Sequence, residues 1–358
     1  MNFQRIKIGI THGDINGVGY EVIIKTLSDD RIFDSCTPIV YGSPKVAAYH
    51  KKAINQTKVS FNQIVDATEA QDGKANIINC ISDNVRVELG KSTDIAGESS
   101  YMALEKACED LKEGKIDVLI TAPICKDNIQ SSDFHFPGHT EFLAEQFNSE
   151  DHLMLMVSEQ MKIGVVAGHV PISKVSEFIT EELVLSKIRV MHQTMKQDFG
   201  IDGPRIAVLG LNPHAGDNGL LGSEEEEIIT PALEKAQEEG IMAMGPYPAD
   251  GFFGNGTYSK FDVILSMYHD QGLVPFKALA FDDGVNFTAG LPVIRTSPGH
   301  GTAFDIAGKG KASENSFRKA MYLAMDLYRN REIYKETAKA PLQKFDLEDR
   351  QSMGDKSI

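Results

Sequence analysis

Short apolar stretches that alternate with longer segments of helical periodicity are the feature that most constrains the fold of this chain. The apolar stretches are rich in isoleucine and valine and too short for a typical helix, so each is predicted to be a buried strand. They lie at residues 7–10, 38–41, 117–121, 162–167, 205–211 and 261–267. Between them, apolar side chains recur at helical spacing at residues 100–113, 184–199, 224–239 and 316–335. This alternation indicates βαβ units and an α/β fold with mostly parallel sheets.

The chain length and the net charge limit the number of domains and the kinds of partner that this protein can have. The 358 residues suggest two domains, at about 150 residues per domain. A net charge of −15 opposes binding to nucleic acid, which needs a basic surface. No apolar run approaches the roughly 18 residues of a membrane span, and no signal-peptide pattern is present. We therefore expect a soluble, cytoplasmic protein with neither nucleic-acid nor membrane partners, and a polar tail at residues 343–358.

Three histidines follow three successive predicted strands. His169, His214 and His269 each come directly after or within a few residues of an apolar stretch. Ligands bind at the carboxyl ends of the strands in parallel sheets, so these histidines are candidates for a shared site. Neutral imidazoles suit Zn²⁺, Co²⁺ or similar ions, but the wide spacing matches no local zinc motif. A metal triad and ordinary loop histidines both remain open at this point.

Other polar residues are candidates for binding an anion. His139 and Thr140 precede a helical segment at residues 142–147, where they could donate to a phosphate or where Thr140 could cap the helix. Arg295 follows the apolar run 290–294 and is therefore expected at the end of a strand. Arginine is suited to two-pronged contacts with carboxylates or phosphates. Lys277 and Asn286 lie between His269 and this arginine.

Glycine-rich and acidic segments allow more than one interpretation. Residues 13–19 follow the first strand but lack the dinucleotide fingerprint, so they form either a structural turn or an anion cradle. Residues 299–309 are dense in small side chains, which would let a planar ligand approach the backbone or let a helix start pack closely. The acidic run 224–227 is most simply a solvated first helical turn.

Five sequence blocks together resemble the 4-hydroxythreonine-4-phosphate dehydrogenase family of vitamin B6 synthesis. The blocks occur in the family's order and extend over most of the chain, at residues 10–14, 137–144, 211–216, 268–273 and 290–297. Residues 300–309 also resemble the cofactor loop of isocitrate and isopropylmalate dehydrogenases, which share the family's fold. The resemblance implies two α/β/α domains, formed by residues 1–130 with 295–358 and by residues 131–294, with the active site in the cleft between them.

The resemblance also implies roles for individual residues. The positions that match the family's metal ligands are His169, His214 and His269. Those that match its substrate-binding residues are His139, Thr140, Lys277, Asn286 and Arg295. Those that match its cofactor-binding residues are His300, Gly301, Thr302, Ala303 and Asp305. Family members are homodimers in which histidines from both subunits hold one divalent ion, taken here to be Zn²⁺, Co²⁺ or Mg²⁺. They oxidise 4-phosphooxy-L-threonine with NAD(P)⁺, and loss of CO₂ then gives 3-amino-2-oxopropyl phosphate.

Two segments depart from the family pattern. The first turn contains Ile15-Asn16 where the family usually has Pro-Ala, and the residues after Lys277 also differ. The metal and substrate positions match in spite of both changes. The alternatives are a threonate or erythronate 4-phosphate dehydrogenase of the same family and an acyl-phosphate transferase of related fold. The sequence does not assign the catalytic residue that takes the alcohol proton.

Overall fold

A single mixed sheet runs through the computed structural model, which describes residues 5–82 and 84–339. Its strands in the described part of the chain are β1 (Ile6–Thr11), β2 (Cys36–Gly42), β3 (Phe61–Ile64), β4 (Ala75–Asn79), β5 (Val118–Thr121), β6 (Leu153–Val157), β7 (Lys162–Ala167), β8 (Ile206–Leu209), β9 (Ala243–Tyr247), β10 (Val263–Tyr268), β11 (Val285–Ala289) and β12 (Arg295–Pro298). All six predicted strands are confirmed, with ends shifted by no more than a few residues. The expected polar tail at residues 343–358 lies outside the described residues.

The strand order divides the sheet into two parallel blocks joined by an antiparallel centre. The order is β3-β4-β2-β1-β5-β12-β11-β6-β7-β10-β8-β9. Strands from β3 to β12 are parallel to one another, as are strands from β7 to β9. Strands β11 and β6 pair antiparallel with their neighbours and connect the blocks. The α/β class with a mostly parallel sheet is therefore confirmed, whereas the division into domains at residues 130/131 and 294/295 stays a prediction.

Helices cover both faces of the sheet. Their bounds are α1 (Gly19–Thr26), α2 (Ile32–Ser35), α3 (Pro44–Ala53), α4 (Asp94–Lys112), α5 (His139–Gln146), α6 (Val175–Phe178), α7 (Glu181–Gln197), α8 (Thr230–Glu238), α9 (Ala249–Gly254), α10 (His269–Ala280) and α11 (Asn315–Lys339). The four long predicted helices are confirmed, although a π-helical turn replaces the start of the predicted helix at residues 224–239. Among the described residues no helix has the length and apolar character needed to cross a membrane.

The buried side chains form one large cluster and two smaller ones. Helices α1, α7, α8 and α11 pack on one face of the sheet in a continuous core. On the other face, α4 and α5 cover the first block and α9 and α10 cover the second, each with its own apolar cluster. Between these two smaller clusters, α5 and α10 do not fully cover the sheet, and polar side chains lie in this region.

The segment before β12 corrects one expectation. Residues 290–294 do not form a strand, and Arg295 is the first residue of β12 instead of lying at the end of a strand. Arg331 of α11 donates to the carbonyls of Leu291 and Pro292, at 3.3 and 2.9 Å, so these groups are not available for a sheet ladder. Proline also lacks the N–H that a strand would need. Helix α11 thus holds the chain in position immediately before Arg295.

Arg331 forms a buried ion pair that anchors this arrangement. Its Nε and Nη2 donate to the two oxygens of Asp198, at 2.7 and 3.0 Å, and both side chains are almost inaccessible to solvent. We predict that Asp198→Asn lowers the free energy of unfolding by about 3–5 kcal/mol, because the guanidinium would stay buried without a counter-ion. Urea denaturation measures this. Glu239→Gln, which breaks the exposed pair with Arg189, is the control and should leave the midpoint nearly unchanged. Equal midpoints for both variants would contradict the prediction.

Candidate active site

Arg295 lies at the centre of the sheet, where the two blocks meet. It is 2% exposed, and β12 places it between β5 and β11. Its Nε and Nη2 donate to Thr121 Oγ1 at 3.0 and 2.6 Å, and its Nη1 donates to Thr288 Oγ1 at 3.2 Å. Burial lowers the pKa of Arg295 to about 10, so it is charged at neutral pH. No carboxylate of the described residues lies within ion-pair distance of it, and the charge of Glu141 offsets the effect of burial on its pKa only in part. A buried charge of this kind is stabilised when an anion binds.

A cavity of about 240 Å³ opens above Arg295 between α5 and α10. All five residues expected to bind substrate line it. The structure therefore brings together residues that are up to 156 positions apart in the chain, from His139 to Arg295. The polar residues of the lining are Thr121, Lys126, His139, Thr140, Glu141, His169, Lys277, Asn286, Arg295, Ser297 and His300.

The start of α5 presents two of these residues to the cavity. His139 is buried, and its Nε2 has no hydrogen-bond partner in the described structure. Burial and the positive charges of Arg295 and Lys126 hold the pKa of His139 well below its usual value, so its imidazole is neutral. Thr140 does not cap the helix, because Gly138 occupies the cap position; its hydroxyl lies 3.4 Å from that of Thr288. The capping alternative for Thr140 is therefore wrong.

Asn286, Lys277 and Lys126 are three further polar residues of the cavity lining. Asn286 has a buried Oδ1 without a partner, which leaves it available to a ligand. Lys277 and Lys126 add positive charge at the rim, since both are exposed. Sequence analysis did not select Lys126, although it lies only five positions after the end of β5. Its place near the carboxyl end of a predicted strand was the signal that could have identified it.

Glu141 is an acidic residue of the cavity that sequence analysis also did not select. Its Oε1 lies 3.5 Å from Nδ1 of His169. Partial burial raises the pKa of Glu141, but the contact with His169 and its own backbone N–H lower it by more, so its pKa is below the ordinary glutamate value. The side chain is therefore a carboxylate at neutral pH.

The three histidines occupy the ends of adjacent strands, as expected. His169 follows β7, His269 follows β10 and His214 follows β8, and β10 lies between the other two. The rings of His169 and His269 are 6.4 Å apart between centroids, and Asp270 Oδ1 lies 2.7 Å from Nδ1 of His269. A carboxylate on one ring nitrogen leaves the other for a metal, which is the usual environment of a ligating histidine. Within the described part of one chain, no three His, Cys, Asp or Glu residues come close enough to hold an ion.

His214 is held by a turn that depends on a buried acid. The backbone of His214 adopts a left-handed conformation, with φ of 54°. Glu225 is only 3% exposed and accepts hydrogen bonds from the backbone N–H and Nδ2 of Asn212, at 2.7 and 2.9 Å. The expectation that residues 224–227 form a solvated turn is thus wrong for Glu225, because the π-helical turn directs it inward at the strand end.

The candidate cofactor residues divide into two groups. His300 and Gly301 line the cavity, the Nε2 of His300 is buried without a partner, and a Cβ at Gly301 would meet no atom within 4 Å. Thr302, Ala303 and Asp305 do not line it: the carbonyl of Thr302 accepts the N–H of Val18 at 3.0 Å, and Asp305 belongs to a 3₁₀ turn. Because Gly301 has no side chain, a flat ligand ring has room to lie against its backbone next to the cavity.

The turn after β1 supports this segment. A Cβ at Gly17 would lie 2.8 Å from the carbonyl of Thr302, so only glycine permits the contact. Asp14 accepts the N–H of Asn16 at 2.8 Å and the side-chain amide of Asn128 at 2.8 Å. Residues 13–19 are all buried. Of the two interpretations, a structural turn is therefore the one that the packing favours.

The combined geometry is suited to a small anionic ligand with polar groups along its length. An anion meeting Arg295 would neutralise a buried charge, and neutral His139 with Asn286 offers hydrogen bonds nearby. His169 lies on the wall of the same cavity.

Comparisons with known proteins show the family of this chain. A family model described as "Pyridoxal phosphate biosynthetic protein PdxA" matches residues 34–324. A 4-hydroxythreonine-4-phosphate dehydrogenase of Bacteroides thetaiotaomicron is 55% identical over 345 residues, which cover 96% of this chain and 94% of that protein. A relative from Oceanobacillus iheyensis named "Putative D-threonate 4-phosphate dehydrogenase" is 42% identical and covers 89% of this chain and 97% of its own length.

The fold agrees as well. The crystal structure of 4-hydroxythreonine-4-phosphate dehydrogenase from Klebsiella pneumoniae has a TM-score of 0.81 and 33% identity, covering 92% of this chain and 99% of that chain. The family resemblance predicted from the five sequence blocks is thereby confirmed. This chain belongs to the PdxA family, the 4-hydroxythreonine-4-phosphate dehydrogenases of pyridoxal phosphate biosynthesis.

Proposed function

We propose that this protein oxidises 4-phosphooxy-L-threonine with NAD(P)⁺ in the cytoplasm and that the product loses CO₂ to give 3-amino-2-oxopropyl phosphate. The observation that carries the proposal is the cavity in which the other four expected substrate residues lie around Arg295, a buried arginine that forms no close ion pair with a described carboxylate. The relatives of the same name support the reaction. An acyl-phosphate transferase is a weaker alternative, because it needs neither the three histidines nor a cofactor segment.

The cavity residues bind and orient the substrate in this proposal. Arg295 offers a rigid fork to one anionic end, while Lys277 and Lys126 offer point charges at the rim. His139 and Thr140 lie in the first turn of α5, where the backbone N–H groups also favour an anion. Holding both ends of a short substrate fixes the carbon that loses hydride, which is a large contribution to catalysis in such enzymes.

His169, His214 and His269 are the residues proposed to hold a Zn²⁺, Co²⁺ or Mg²⁺ ion. Two imidazoles at adjacent strand ends, one of them with a carboxylate on its Nδ1, fit such an ion. When bound, the ion supplies a Lewis acid that lowers the pKa of a hydroxyl group and stabilises developing negative charge. The residue that accepts the alcohol proton is left unassigned in this proposal.

His300, Gly301, Thr302, Ala303 and Asp305 form the proposed cofactor segment. The nicotinamide, when bound, supplies the acceptor for hydride. Open backbone at Gly301 and the unpartnered Nε2 of His300 fit a ring lying beside the cavity. Thr302 joins the segment to the turn at residues 13–19, because its carbonyl accepts the N–H of Val18 at 3.0 Å.

A homodimer with shared sites is part of the proposal. Each histidine is followed, three to twelve positions later, by exposed apolar side chains. These are Ile172, Leu220, Val274 and Phe281, all more than 60% exposed. Exposed apolar residues that flank a site are typical of an interface, since their burial favours association. The third metal ligand, which is not within reach inside one described chain, would then come from the partner.

A second candidate substrate is the hydroxy acid D-threonate 4-phosphate, because one relative carries that name. Formation of NADH, followed by absorbance, with 4-phosphooxy-L-threonine, D-threonate 4-phosphate and erythronate 4-phosphate side by side tests the proposed function. Highest kcat/KM with the amino compound supports it. Faster turnover of either hydroxy acid would transfer the assignment to that substrate, and no NADH with any of them would contradict a dehydrogenase.

Arg295→Lys tests the two-pronged contact. We predict a loss of about ten- to hundredfold in kcat/KM for the phosphorylated substrate, because a lysine keeps the charge but not the fork. Arg295→Ala should lose at least as much. Circular dichroism of both variants controls for folding. Wild-type kcat/KM in either folded variant would remove Arg295 from the site.

His214→Ala tests the metal site. The variant should lose its bound divalent ion, measured by inductively coupled plasma mass spectrometry, and nearly all turnover. His192→Ala is the matched control, since His192 lies on α7 away from the cavity, and it should keep the metal. Full activity in metal-free His214→Ala protein would refute the role of this residue.

Complementation tests whether the sites are shared. Arg295→Ala and His214→Ala chains are each expected to be inactive, but refolding them together should give heterodimers with one intact site if the two residues of a site come from different subunits. Random pairing then restores about a quarter of the wild-type activity. Heterodimers that are proven by mass spectrometry and remain inactive would show that both residues act within one chain.

A further inference from the structure

Asn16, in the turn after β1, is a fully buried residue that forms hydrogen bonds to one distant segment of the chain. Its Oδ1 accepts the N–H of Glu88 at 2.6 Å, and its Nδ2 donates to the carbonyl of Lys91 and to Thr93 Oγ1, both at 3.0 Å. Its own carbonyl accepts the N–H of Gly90 at 2.9 Å. One residue of the turn therefore holds the distant segment through four hydrogen bonds.

The segment held in this way, residues 88–93, packs closely against the chain around the proposed cofactor residues. A Cβ on Gly90 would lie 2.9 Å from the carbonyl oxygen of Phe304, and a Cβ on Gly308 would collide with the side chain of Leu89. Both glycines have positive φ, at 79° and 72°. The absence of a side chain at these two positions is therefore what lets the two segments touch.

The other end of the segment reaches the loop that lines the cavity. Ser92 Oγ lies 3.5 Å from Sγ of Cys125, and the neighbours of this cysteine in the chain, Ile124 and Lys126, line the cavity. Ser92 is exposed, so a ligand can reach it. A ligand that extends from the cavity along the proposed cofactor residues has residues 88–93 beside it.

We propose that Asn16 is a positioning residue for the nicotinamide cofactor, because it holds residues 88–93 in place as one side of the cofactor site. This inference rests on the proposed function, in which NAD(P)⁺ lies along residues 300–305. Val18 of the same turn donates to the carbonyl of Thr302 at 3.0 Å, so one turn holds both segments. Without the anchor, residues 88–93 would have to become ordered when the cofactor binds, and that loss of conformational freedom would weaken binding.

Asn16 also marks a point where this chain departs from the pattern of its family. An asparagine replaces the usual alanine, and Ile15 replaces the usual proline before it. A proline restricts the backbone of a turn by itself, whereas an isoleucine leaves it free to rotate. Hydrogen bonds from Asn16 therefore have to fix the geometry here, and the anchor belongs to this chain rather than to the family as a whole.

Asn16→Ala removes the three side-chain hydrogen bonds and leaves the backbone in place. We expect the Kd of NADH, measured by its fluorescence without substrate, and the KM of NAD⁺ to rise about tenfold, while kcat changes less than about twofold. Amide hydrogen exchange of residues 88–93 in the ligand-free protein should become faster. If the wild type prefers the phosphorylated cofactor, NADPH and NADP⁺ replace these probes.

Asn76→Ala is the matched control for this variant. Asn76 is equally buried, and its Nδ2 donates to the carbonyls of Gln71 and Lys74 at 3.0 and 3.1 Å, but it lies on β4, two strands away from β1. The control should lower the free energy of unfolding and leave the Kd of NADH unchanged.

Gly90→Ala displaces the segment without changing Asn16. Its new Cβ would press on the carbonyl of Phe304, so the Kd of NADH should rise by a similar factor. Gly114→Ala is the control for backbone strain. Gly114 has nearly the same φ, 69° against 79°, but a Cβ there would meet no atom within 4 Å. This control should leave the Kd of NADH unchanged.

The possible results separate positioning of the cofactor from a merely structural role. Unchanged NADH affinity in folded Asn16→Ala protein would overturn the inference, whether or not residues 88–93 exchange faster. Equal losses of affinity in the Asn16→Ala and Asn76→Ala proteins would overturn it as well. If Asn16→Ala does not fold, Gly90→Ala and its control decide by the same criterion. Failure of the proposed function is a separate result, because the wild-type protein would then bind neither NADH nor NADPH.

Discussion

A buried guanidinium without an acidic partner is the constraint on which the rest of the site depends. Arg295 is placed at the centre of a twelve-stranded sheet and is held by two threonine hydroxyls from β5 and β11. Hydroxyl groups accept hydrogen bonds from three of its five N–H donors but do not neutralise its charge. The fold keeps this charge out of water by strand pairing on both sides, and helix α11 holds the preceding segment through Arg331. A bound anion would complete the arrangement.

The charge distribution follows from that constraint. The protein has a net charge of −15, so its general field opposes an anionic substrate. Positive side chains therefore attract an anionic substrate only where several lie close together, and three of them line the cavity. Glu141 departs from this pattern, because it is the single carboxylate among the described residues that line the cavity. Neutral His139 adds hydrogen-bonding capacity without adding to the repulsion between cations.

The topology of the sheet accounts for the separation between the cavity and two of the three histidines. The residues proposed to bind substrate lie where the blocks join, while His214 and His269 follow strands further into the second block and do not line the cavity. His169 follows β7 at the border and belongs to both groups. Exposed apolar side chains follow all three histidines along the chain.

Local periodicity was sufficient to predict six of the described strands, the long helices and the neighbouring strand ends of the three histidines. It did not identify β3 and β9 at the edges of the sheet, the polar β12, or β4, β6 and β11. The resemblance to a family selected the five substrate residues. Only the tertiary structure placed Arg295 at the start of a strand, buried Glu225 behind Asn212 and brought Lys126 and Glu141 into the cavity. These features depend on contacts between distant segments, and the spacing of residues along the chain carries no information about them.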